Sequence, residues 1–100
     1  MKLTTRNLRR EMAELTHEAT ERYAGLLISQ VIEGGKLLPG YRLLLVPIIH
    51  GYWCLEDRLV IKNLDGEPRV VASPKTAMNF AARYGFKPHH VQFMQFREVR

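Results

Sequence analysis

The chain has 100 residues, 46% hydrophobic and 25% charged, with a net charge of +5 when its four histidines are neutral. These proportions describe one globular domain with a single core, exclude a low-complexity or disordered chain, and leave little volume for an enclosed, lidded active site. A single cysteine excludes an intrachain disulfide framework, so a reducing cytoplasm is the expected location.

From Thr5 to Glu33, apolar residues recur at Leu8, Met12, Leu15, Ala19, Tyr23, Leu26 or Leu27, and Val31. Steps of three and four trace one face of a helix, so the spacing predicts a helix over 5–33. Thr4 or Thr5 would cap it and Gly34-Gly35 would stop it. Such a helix would run about 40 Å at 1.5 Å per residue, longer than a domain of this size is wide. It is therefore expected to protrude, to break near Gly25, or to pair with a second copy. Leu8, Met12, Leu15 and Ala19 are the candidate dimer or partner interface.

Residues 37–100 read as an α+β body. Arg42 to Ile49 is rich in branched aliphatics and reads as a strand, with Pro47 opposed to full pairing beyond it and Gly51 permitting a sharp bend. Arg58–Leu64 and Arg69–Ala72 flank Asp65-Gly66, a hairpin signal. Ser73-Pro74 opens a second helix, Ala77, Phe80, Ala81 and Tyr84 give it a buried face, and Gly85 ends it. Val91–Val99 is expected to close the sheet. The expected architecture is one α+β domain with an antiparallel sheet, in the order α-β-β-β-α-β.

Charge is unevenly distributed. The thirty residues from Pro68 to Arg97 hold five basic side chains, His89 and His90, and no carboxylate, whereas the preceding sixty-seven carry nine charges of each sign. A stretch of one sign attracts polyanions. Lys75, Asn79 and Arg83 are four apart and share a helix face; Lys87, His89 and His90 follow, and Arg97 lies in the last strand. These seven are the candidate nucleic-acid contacts, the cations on phosphate and Asn79 within reach of base edges. A hairpin reader built on Lys62 and Arg69 is opposed by Asp65 and Glu67 at its tip.

Other chemistries find less support. His50, Cys54, His89 and His90 are zinc-type ligands without the spacing of a structural site, so no metal and no cofactor are expected. Cys54 beside His50, Glu56 and Asp57 has no oxyanion-type glycine motif, and sequence neighbours do not make a triad. No phosphate-cradling glycine loop is present. The N-terminus leads into charge, unlike a signal peptide, and the uncharged run Leu43–Leu55 is too short and too interrupted to span a bilayer, so no membrane association is expected. The expected protein is small, non-enzymatic and cytoplasmic, a homodimer that binds nucleic acid through its basic C-terminal third. The alternative is an accessory or inhibitor subunit that docks an acidic protein through the first helix.

Overall fold

Ala24 to Ser29 are six consecutive buried residues, and they form the centre of a strand rather than a helix. In the computed structural model, which describes residues 2–17 and 21–95, helix α1 covers Leu8–His17 and is ten residues long. Strand β1, Arg22–Glu33, follows, and β2, Lys36–Ile49, returns antiparallel to it from Glu33↔Lys36 to Arg22↔Ile49. Gly34 and Gly35 have φ of 57° and 78°, the two positive values that a tight type I′ hairpin requires. The helix expected over 5–33 is therefore corrected to a short helix and a long strand, and Gly34-Gly35 is a hairpin turn rather than a helix stop. A strand covered on both faces is apolar at nearly every position, and such a run also satisfies a three-and-four spacing.

Beside β2 lies a third row in three pieces: β3, Tyr52–Trp53; β4, Leu59–Val60; and β5, Val70–Val71. All three are antiparallel to β2, at Ile48↔Trp53, Leu45↔Leu59 and Arg42↔Val70. A 3₁₀ turn, Leu55–Asp57, separates the first two. The expected hairpin around Asp65-Gly66 separates the last two, with a Lys62↔Pro68 bridge across it. Pro47 stays within β2. Its carbonyl accepts from the Cys54 N–H at 2.8 Å, so its missing donor falls on the third-row side and the ladder to β1 continues through Ala24↔Pro47.

Helix α2, Pro74–Tyr84, then carries the chain across the sheet to β6, Val91–Met94. Strand β6 is parallel to β1, from Leu26↔Val91 to Ser29↔Met94, so the expected antiparallel sheet is corrected to a mixed one. The order of elements is α-β-β-β-β-β-α-β. Of the closing strand expected over 91–99, positions 96–99 lie outside the described residues.

One sheet face carries Ala24, Leu26, Ile28, Leu43 and Leu45, covered by Leu8 of α1 and by Ala77, Phe80 and Ala81 of α2. Each fully buried leucine or isoleucine contributes about 1.5–3 kcal/mol. The opposite face has a smaller cluster of Leu27, Leu44 and Val46 under Trp53, Val60 and Met94. The N-terminal segment belongs to the body as well. Leu3 is buried, its carbonyl accepts from the Lys62 N–H at 2.7 Å, and Asn7 Oδ1 accepts from the Thr4 N–H at 2.8 Å. Residues of α1 and β1 therefore share one core with the elements that follow them. No helix among the described residues is long and apolar enough to cross a membrane.

Candidate nucleic-acid interface

Local chemistry places α2 firmly. The Ser73 hydroxyl accepts from the Thr76 N–H at 3.2 Å, and Pro74 occupies the first turn, where its missing N–H costs nothing. At the far end Gly85 adopts φ 84°, and the Phe86 N–H reaches back to the Ala81 carbonyl at 2.9 Å. That closure, with Phe86 buried beneath it, is a Schellman-type stop. Ala77, Phe80 and Ala81 then face the sheet, which leaves Lys75, Asn79 and Arg83 exposed on the outer face as the sequence implies.

Two arginines outside this triplet join the same region. Arg9, on α1, donates from a terminal guanidinium nitrogen to the Arg83 carbonyl at 2.9 Å and lies 5.3 Å from the Tyr84 ring centroid. A cation there also faces the carbonyl-rich end of α2. Arg69, one residue before β5, lies 5.7 Å from the Phe80 centroid, and Arg83 lies 6.0 Å from that of Tyr84. Between β5 and α2 runs a groove of about 180 Å³, lined by Arg69, Thr76, Asn79, Phe80, Arg83 and Tyr84 together with Val71. No carboxylate lines it. Its polar side chains are donors or neutral groups, and its aromatic rings already carry guanidinium partners.

The remaining sequence candidates sit elsewhere. Lys87 and His90 line a separate cleft of about 480 Å³ with Met12, Thr16, Tyr23 and the acidic Glu21. His90 stacks on Tyr23 with centroids 4.7 Å apart and meets the exposed His89 edge-on at 4.1 Å. Burial first, then the charges of His89 and Lys87, hold the His90 pKa below its ordinary value of 6.5. Arg97 lies outside the described residues. The single basic third expected from the sequence is thus divided between the α2 face and the turn after it, and Arg9 is added to the first. Arg9 lies in the charge-balanced part of the chain and carries no local signal, since only the packing of α1 beside α2 brings it there.

The first part of the apolar stripe of α1 is used internally. Leu8 is 0% exposed and Met12 packs against the same core. Leu15 is half-buried, and Ala19 lies outside the described residues. The argument from a helix longer than its own domain, on which dimerisation or docking rested, has no counterpart in a ten-residue helix.

His50 and Cys54 have different partners. His50 Nδ1 is 2.7 Å from Glu21 Oε2, whereas Cys54 Sγ points to the Tyr52 carbonyl at 3.7 Å. Among the described residues, no three His, Cys, Asp or Glu side chains are grouped as a metal would need. Comparison with protein-family models, curated proteins and solved structures finds no match.

Proposed function

We propose that this protein binds nucleic acid, without catalysing a reaction on it, through the outer face of α2 supplemented by Arg9 and Arg69. The observation that carries the proposal is that Arg69 and Arg83 line one carboxylate-free groove, while Arg9 of α1 is held beside it on the Arg83 carbonyl and the Tyr84 ring. Lys75 and Asn79 extend the polar row on the same helix. Cations held together in this way, each on a packed element, form a positive field that phosphates neutralise on binding. Lys87, His89 and His90 are auxiliary donors at the end of the helix. The proposal requires no second copy of the chain. A single half-buried thiol suits a reducing compartment, and we place the protein in the cytoplasm.

The test is the double variant Lys75→Ala, Arg83→Ala. It should weaken binding to every sequence and flatten the salt dependence, because phosphate contacts set affinity without reading bases. Unchanged affinity in this variant refutes the assignment.

A further inference from the structure

Arg69 is chemically unfinished. Its Nε is buried and has no hydrogen-bond partner among the described residues, and no carboxylate among them pairs with its guanidinium. Leaving a buried donor unsatisfied costs about 1–3 kcal/mol, more for a charged group. The contact recorded for that guanidinium is the face of Phe80, at 5.7 Å. Phe80 in turn is buried in the main core. The side chain therefore has a rigid seat beside it and lines the groove between β5 and α2.

The groove gives the terminal nitrogens of that guanidinium, which pair with no carboxylate among the described residues, a space in which to meet an anion. Across from Arg69, helix α2 contributes Thr76, Asn79 and Arg83, so donors approach the space from the sheet side and from the helix side. An anion with several oxygens suits that arrangement, because an arginine fork binds two of them while the opposing groups reach the others. Aromatic stacking of a base does not suit it. Tyr84 is approached by Arg9 at 5.3 Å and Arg83 at 6.0 Å, and it tilts against Phe80 at a centroid distance of 4.6 Å. Proteins that hold single strands without sequence preference need free aromatic platforms, and the rings here already have partners.

We infer that the groove between β5 and α2 seats one backbone phosphate of a duplex, gripped by the guanidinium fork of Arg69 opposite Arg83 and Asn79. The inference rests on the nucleic-acid reading and makes it specific: one cation acts through geometry, and the others act through charge.

Lysine for arginine separates those two roles, because Arg69→Lys keeps the charge and removes the fork. Fluorescence anisotropy of a labelled, mixed-sequence DNA duplex at about 50 mM salt compares the native chain with Arg69→Lys, Arg69→Gln and Asn79→Ala. Arg69→Lys should lose about tenfold or more in affinity, the value of a lost charge-assisted hydrogen-bond pair, and should keep the native salt slope. Arg69→Gln should lose at least as much and also flatten the slope. Asn79→Ala, on an exposed position that folding does not require, should lose about threefold, as for one ordinary hydrogen bond. Native-like binding by Arg69→Lys overturns the phosphate seat and leaves the nucleic-acid reading standing, as does tighter binding of the native chain to single strands than to duplex. If Arg69→Lys fails to fold, Asn79→Ala decides, and unchanged affinity there overturns the seat. Absence of duplex binding by the native chain overturns both.

Discussion

The Arg9 guanidinium donates to the main-chain carbonyl of Arg83, seventy-four positions later in the chain, at 2.9 Å. This bond ties the first helix to the end of the second and sets a cation from the charge-balanced part of the chain beside the basic stretch. Arg9→Ala should therefore weaken duplex binding and also cost about 1 kcal/mol in stability, the net worth of one hydrogen bond with an exposed cation–π contact. Anisotropy and urea melts on the same samples check both effects. Native affinity in a folded Arg9→Ala would remove this residue from the interface.

Leu8 tests whether α1 is a core element. It is fully buried against the sheet, so Leu8→Ala should cost about 2–5 kcal/mol through the cavity it leaves. Deleting residues 1–17 should abolish cooperative unfolding, because Leu3, Leu8 and the Leu3–Lys62 hydrogen bond leave together. A folded product of that deletion, with a sharp melting transition, would restore α1 to the role of an appendage.

Gly25 lies directly beneath the only tryptophan. A Cβ at this position would sit 2.7 Å from an indole carbon of Trp53 and 2.9 Å from Ile48 Cδ1. Gly25→Ala should destabilise the fold by about 1–3 kcal/mol, since the ring and the aliphatic side chain must both shift. Because Trp53 is the one tryptophan, its emission spectrum reports the shift directly. Unaltered emission and stability would contradict the packing of the Trp53 ring over Gly25.

His90 gives the fold a pH dependence of known sign. Burial, followed by the positive charges of His89 and Lys87, lowers its pKa in the folded state from 6.5. Between the folded and unfolded values the unfolded chain binds more protons, so stability rises with pH there. The penalty should appear as pH falls below about 6.5 and level off once the folded protein is also protonated. Urea midpoints from about pH 7.5 to about 5 should fall less in His90→Gln than in the native chain. Parallel curves would show that His90 does not contribute.

Sequence legibility follows how local the physics is. Ser73-Pro74, Gly85 and the apolar positions between them act within a few residues of one another, and α2 forms as the spacing implies. The Asp65-Gly66 turn and the bend at Gly51 are equally local, and both are present. Residues 22–33 are different. Leu26, Leu27 and Ile28 are buried on alternating faces of a central strand, and a run apolar on every side does not reveal its own period. Gly34-Gly35 likewise suits a helix end and a two-residue hairpin, and the complementary apolar strand that follows decides between them. Of the candidate interface, the shared exposed face of Lys75, Asn79 and Arg83 was readable from a four-residue repeat. Arg9 depends on long-range packing, and Arg69 was readable only within the charged stretch and as half of a disfavoured hairpin reader, because its groove exists only once β5 and α2 are in place.

The central claim is that the α2 face neutralises phosphates, and the salt dependence of affinity tests it most directly. Arg9, Arg69, Lys75 and Arg83 make four cations, so affinity for a generic duplex should fall about 150-fold between about 50 and 200 mM salt. A fall of that order, with duplex preferred over single-stranded DNA, is the predicted result. No binding at the lower salt, or an affinity indifferent to salt, would contradict the account.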